Sequence, residues 1–155
     1  MKIAGDYTLP SAPDRSYSLL QDPHVLAKAM PGCERLEQVG EGEYAMRMKM
    51  VLASISGQFE GKVRIADANP PVSFRLIVEG SGKIGFMRGD GIITVSPAEN
   101  SSSIHYEGNV QVGGLIANMG QRLVETSAKM VIKRFFENIA AQAATASSGA
   151  APPAL

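Results

Sequence analysis

Few side chains in this sequence are spaced so that they could do chemistry together. Gly80-Ser81-Gly82-Lys83-Ile84-Gly85 has the spacing of a phosphate-cradling glycine loop. That chemistry needs the glycines to follow a strand and open a helix, whose N-terminal amides meet the phosphates. Strand-like alternation instead continues through Phe86 and Met87 to Gly89 and Gly91, so the segment reads as a glycine-rich hairpin or bulge. Cys33 needs an adjacent base to act as a nucleophile, and neither His24 nor His105 is brought near it by the elements that carry them. His24, next to Pro23, reads as a surface or capping residue, and His105 falls on the polar side of a strand. Glu60, Glu79, Asp90 and Glu107 alternate with Lys62, Arg64, Arg75 and Arg88, a pattern of cross-strand charge pairing rather than of a general acid and base. Arg88-Gly89-Asp90 lies inside strand-like sequence, and Asn100-Ser101-Ser102 fits a glycosylation acceptor without a secretion signal beside it. Neither is taken as functional.

The chemistry that is missing narrows the function. One cysteine and two widely separated histidines give no internal disulfide and no zinc cluster. The expectation is a protein that is not an enzyme, with no metal site, no catalytic residues and no cofactor held covalently or through metal. Fifteen basic residues offset fifteen acidic ones, so nothing draws the chain to nucleic acid. No apolar run approaches the ~18 residues of a membrane span, and Met1–Asp6 carries no apolar signal region. The expected location is the cytoplasm, with peripheral contact at the inner face of the cytoplasmic membrane as the variant to consider.

The 155 residues make about one domain, large enough to bury a core without staples. Met1–Leu9 alternates with Ile3, Gly5, Tyr7 and Leu9 on one side, a half-buried strand. Pro13–Gln21 reads as a short helix, and Asp22-Pro23 starts a second that ends before Pro31-Gly32. From Cys33 to Gly114 strands follow one another across short turns, an antiparallel meander with one wet face. Expected turns include Asp67–Pro71 and Pro97–Ser102. The period changes at Leu115, and a helix is expected over Leu115–Gln142. Its apolar arc has two sectors, one with Ile116, Met119, Leu123 and Met130, the other with Val124, Val131, Ile132, Phe135 and Ile139. An arc this broad suits a helix gripped by a concave sheet. The fold class is therefore α+β. Residues 1–142 form one ligand-binding domain, and 143–155, rich in Ala, Ser and Pro, form a flexible tail.

Glycine recurs on the inward faces of the strands, at Gly57, Gly61, Gly80, Gly82, Gly89, Gly91 and Gly108. Strand glycines mark bending, a bulge or close approach of another group. Two readings stay open. The glycines let a coiled sheet and the long helix come close, or they leave an elongated void between them. The second reading gives a cavity walled by Met46, Met48, Phe59, Phe74, Leu76, Met87, Gly91, Tyr106, Met119, Leu123 and Met130, with Gly120 and Ser127 adding room. A methionine-rich wall suits a flexible or aromatic hydrophobic ligand.

Four segments, Leu19–Glu34, Gly57–Pro71, Gly80–Pro97 and Tyr106–Ile139, resemble the CoxG family of carbon monoxide dehydrogenase subunits, within the START-like (SRPBCC) superfamily. The resemblance covers nearly all of residues 1–140. It implies the helix-grip fold: a curved antiparallel sheet of about seven strands wrapped around a long C-terminal helix, with two short helices after the first strand. It also implies a non-catalytic partner of a molybdenum hydroxylase such as aerobic carbon monoxide dehydrogenase. Such a partner serves membrane recruitment or electron transfer to the respiratory chain, with a respiratory quinone or other lipophilic molecule as ligand. Family members often carry a longer, apolar C-terminal extension. Ala-rich sequence ending at Leu155 has little apolar area for stable anchoring, so docking is expected to rely on the partner or on transient membrane contact at the cavity mouth. The alternatives are an assembly factor without a ligand and a cyclase-type enzyme. The latter would need polar groups inside the groove, for which Tyr44 and Tyr106 are the candidates.

Overall fold

A computed structural model describes residues 1–52 and 55–150. Strand β1 (Lys2–Leu9) is followed by α1 (Pro13–Leu19) and α2 (Pro23–Ala29), then by β2 (Cys33–Gly40), β3 (Glu43–Leu52), β4 (Ile55–Asn69), β5 (Ser73–Gly82), β6 (Gly85–Ala98) and β7 (Ser101–Gly113). A 3-10 turn over Gly114–Met119 leads into α3 (Gln121–Ala150). The seven strands form one antiparallel sheet in the order β1-β7-β6-β5-β4-β3-β2. The meander pairs each strand with its successor, and β1 closes onto β7 from the far end of the chain.

Local sequence explains the elements. Pro13 and Pro23 stand in the first turns of α1 and α2, where a missing N–H costs nothing and the fixed φ favours the helix. The Asp22 carboxylate caps α2 by accepting from the His24 backbone N–H at 2.8 Å, so the capping side chain is Asp22 and not His24. Asn138 and Gln142 of α3 donate to the carbonyls of Ala29 and Val25. These bonds satisfy the C-terminal turn of α2 and tie the two helices together.

Several boundaries differ from expectation. Strand β4 continues through Asp67 to Asn69 across a register shift, with Asp67 at φ +50°. Strands β6 and β7 extend until only Glu99 and Asn100 turn between them. Asn100 at φ +56° is a residue that tolerates the left-handed region, which permits the tight turn. The expected helix from Leu115 is interrupted at Gly120, whose φ of +91° suits glycine far better than other residues. The α-helix therefore starts at Gln121 and continues past Gln142 to Ala150. The last part of the expected tail, 151–155, lies outside the described residues.

The interior is packed in three places. Leu9, Leu20, Phe74, Ile104 and Ile139 belong to a cluster where the short helices and the C-terminal part of α3 meet the sheet. Phe59, Ile84, Ile116 and Val124 pack at the opposite end, and Tyr44, Met46, Met48 and Val63 form a third group on β3 and β4. Three buried serines join α1 to β7. Ser16 Oγ lies 2.6 Å from Ser11 Oγ and 2.8 Å from Ser102 Oγ, so each buried hydroxyl is partnered.

Candidate functional site

Beside the first and third of these groups lies a void of about 220 Å³. Leu20, Leu26 and Met30 wall it from the short helices and the turn after them. Met48, Met50, Val63, Leu76, Val78, Met87 and Tyr106 wall it from the sheet, and Val131, Ile132, Phe135 and Phe136 from α3. Leu76, Val78, Met87, Val131, Ile132 and Phe135 stay only half-buried, although they line facing interior surfaces. They lack neighbours because the sheet and α3 do not close on each other there. An engineered apolar cavity of roughly 150 Å³ stays dry and takes up benzene, so this space is large enough for a guest.

Glycine geometry sorts the two readings left open by the sequence. A Cβ on Gly61 would collide with the Glu79 carbonyl, one on Gly82 would come 2.1 Å from the Gln58 oxygen, and one on Gly91 would come 2.7 Å from the Glu107 oxygen. These glycines let neighbouring backbones approach and the sheet coil. At Gly80 the added carbon would meet Phe59 at an ordinary 3.5 Å. Gly89 is different: nothing lies within 4 Å of its missing Cβ, and it borders the void. Close approach therefore explains most of the inward glycines, and the hollow explains Gly89.

The expected wall residues divide. Met48, Leu76, Met87, Gly91 and Tyr106 border the void. Met46 is buried beside Met48 on β3, Phe59 is buried at the far end with Met119 against the same cluster, and Phe74 is buried edge-on to Tyr17 at 5.6 Å. Leu123 and Met130 are 41% and 49% exposed. The helix turns its Val124, Val131 and Phe135 sector inward and leaves the Leu123 and Met130 sector outside the lining. Ile3, Leu26, Met30, Met50 and Gly89 join the wall beyond the expected set. The inward alternation of β1 and β3 points to Ile3 and Met50, whereas Leu26 and Met30 carry no strand signal.

Two aromatic rings, Tyr106 and Phe136, border the void, and Tyr7 packs behind them. Tyr7 stacks on Phe136 with centroids 4.6 Å apart, and Tyr106 lies 5.9 Å from Phe136 in a nearly parallel plane. Burial pushes both phenol pKa values up. The Tyr106 ring and hydroxyl lie over Gly5 of β1, 2.8 Å from where a Cβ would stand. Tyr44 is buried but lies outside the lining.

Charge is on the outer face. Asp90 accepts from Arg75 Nε at 2.8 Å and lies near Arg88, and these cations hold its carboxyl below the usual range. His105 sits between Asp6 at 2.8 Å and Glu107 at 3.2 Å, which raise its pKa. Burial pushes the Cys33 thiol up, the reverse of what an activated nucleophile requires. Gly80–Gly85 forms the β5–β6 hairpin, with Gly82 paired to Gly85, so no helix follows to receive a phosphate. Among the described residues, no three His, Cys, Asp or Glu stand together as a metal site, and no helix is long and apolar enough to cross a membrane.

Residues 5–144 match the model of the CoxG family of carbon monoxide dehydrogenase subunits. No curated protein matches the chain. A conserved protein from Geobacillus kaustophilus is similar in structure, with TM-score 0.89 and 30% identity, covering 94% of this chain and 96% of that one. A START superfamily protein from Mycobacterium smegmatis superposes with TM-score 0.73 at 8% identity over 93% and 97% of the two chains. The Zhui aromatase/cyclase from a Streptomyces strain does so with TM-score 0.64 at 12% identity over 92% and 93%. The last two likenesses show the fold, which is START-like.

Proposed function

The chain belongs to the CoxG family of carbon monoxide dehydrogenase subunits, and from that premise we propose that it is a non-catalytic carrier of a hydrophobic ligand. The first candidate ligand is a respiratory quinone. The partner is a molybdenum hydroxylase of the carbon monoxide dehydrogenase type, served at the cytoplasmic face of the membrane, in membrane recruitment or in electron transfer to the respiratory chain. One observation carries the reading: an apolar void whose wall is left bare at Gly89, where a side chain would fit. Packed interiors leave few voids larger than a water molecule, and a cavity of this size sacrifices stability that filling it would recover. Retaining it makes sense when a guest supplies the missing contacts.

Among the described residues the wall gives the cyclase alternative no support: the Tyr106 hydroxyl packs against Gly5, and the Asp90 and Glu107 carboxylates that border the void are turned to Arg75 and His105. The test is to incubate the purified protein with a membrane lipid extract, re-isolate it and identify what travels with it by mass spectrometry. The expected result is an isoprenoid or other lipid in near-stoichiometric amount. Recovery of protein with no lipid would overturn the carrier reading.

A further inference from the structure

Among the described residues, the wall of the void offers a guest nothing to hydrogen-bond. Asp90, Glu107 and Asn109 border the space, but their side chains are on the outer face. The Asp90 carboxylate is held by Arg75, and Glu107 lies beside His105. These residues reach the void through backbone exposed between Gly89, Gly91 and Gly108, and that backbone is already paired. Strand β6 is central, with Gly89 opposite Val78 on β5 and Val110 on β7, and Gly91 opposite Leu76 and Gly108. The C-terminal carbonyls of α2 beside Leu26 and Met30 accept from Asn138 and Gln142. The Tyr106 hydroxyl packs against Gly5 on the inner face of β1 and leaves the lining apolar.

From this we infer that the site recognises hydrocarbon and not a head group. It binds the prenyl or alkyl chain of an amphipathic lipid and leaves the polar ring or head outside the apolar wall. A carbonyl or hydroxyl drawn into such a wall loses its water partners and gains none, so the chain is the part that gains by entering. The inference deepens the carrier reading and rests on it. It also assigns a specificity rule: affinity follows chain length and is indifferent to the head group and to its oxidation state.

The experiment is displacement of the uncharged fluorophore N-phenyl-1-naphthylamine from the full chain by four competitors. These are a geranyl-substituted benzoquinone, its reduced quinol, geraniol, and the same benzoquinone without a chain. The expected result is that the three geranyl compounds agree within about threefold, while the chainless quinone is weaker by at least about tenfold, since each buried methylene adds to affinity. Geraniol failing where the geranyl quinone binds, a quinone–quinol difference beyond tenfold, or equal binding by the chainless quinone would overturn the inference and leave the carrier reading standing. Failure of the fluorophore and of every competitor to bind would overturn both. A Gly89→Leu variant, which fills the bare position, is expected to lose the fluorophore signal while keeping its melting transition. Unchanged fluorophore affinity in that variant would place binding elsewhere and overturn the assignment.

Discussion

Gly91 and Gly108 face each other across the β6–β7 ladder, and neither position has room for a side chain. A Cβ on Gly108 would come 2.8 Å from the Gly91 Cα and 2.6 Å from the Asp90 carbonyl oxygen. Two residues before Gly91 on the same inner face, Gly89 has open space where its side chain would be. Within a single strand, one glycine lets the sheet coil and another leaves room.

That difference gives opposite outcomes for two similar mutations. Gly91→Ala pushes a methyl against backbone and is expected to cost about 1–3 kcal/mol. Gly89→Leu places apolar surface in an apolar hole and is expected to leave stability unchanged or raise it by up to about 2 kcal/mol. Thermal and urea unfolding of both variants checks this. Equal destabilisation by the two would contradict the description of the void.

Tyr106 separates packing from hydroxyl chemistry. Its ring belongs to the stack with Tyr7 and Phe136, so Tyr106→Ala is expected to cost about 3–5 kcal/mol. Tyr106→Phe keeps the ring and is expected to leave hydrophobic-probe binding within about twofold. A large loss of binding in the phenylalanine variant would mean that the hydroxyl meets the ligand.

The buried serines make a polar joint inside an apolar core. Ser16→Ala removes the hydroxyl that touches both Ser11 and Ser102 and reduces their hydrogen bonding within the core. A cost of about 1–3 kcal/mol is expected in denaturant unfolding. A neutral result would show that the remaining serines satisfy each other.

His105 titrates on the outer surface between Asp6 and Glu107, with hydrogen bonding to Asp6 the largest cause of its raised pKa. The sign follows from which form is favoured. The contribution to stability is fully present below the ordinary histidine value and is lost as pH rises through the raised one. Because all three groups are exposed, the effect on stability is small, and the better readout is the titration itself. NMR is expected to give a midpoint above about 6.5, moving down in Asp6→Asn. A midpoint unchanged by that substitution would remove the ion pair from the account.

Much of the fold is legible in the period-two alternation of β1 and β3–β7, where inward residues such as Phe59, Phe74 and Ile104 are buried. The two prolines at the starts of α1 and α2 mark those helices as clearly. The site is less legible, for a geometric reason. Gly61, Gly89 and Gly91 are identical in the sequence, and only the approach of Glu79 and Glu107 on neighbouring strands tells them apart. Leu123 and Met130 fall outside the wall because the apolar arc of α3 is wider than the face it buries. Which part turns inward depends on α2, through Asn138 and Gln142. Ser16 reads as an ordinary polar residue in a short helix, and its role depends on Ser102, far along the chain on β7.

The central claim is that the protein holds open apolar space beside Gly89, and xenon tests it most directly. Xenon enters dry apolar cavities without needing a hydrogen bond. Crystals pressurised with the gas are predicted to show it between Leu76, Met87 and Phe135 in the wild-type protein and to lose it in Gly89→Leu. Wild-type crystals with side chains filling that region and no xenon there would contradict the account.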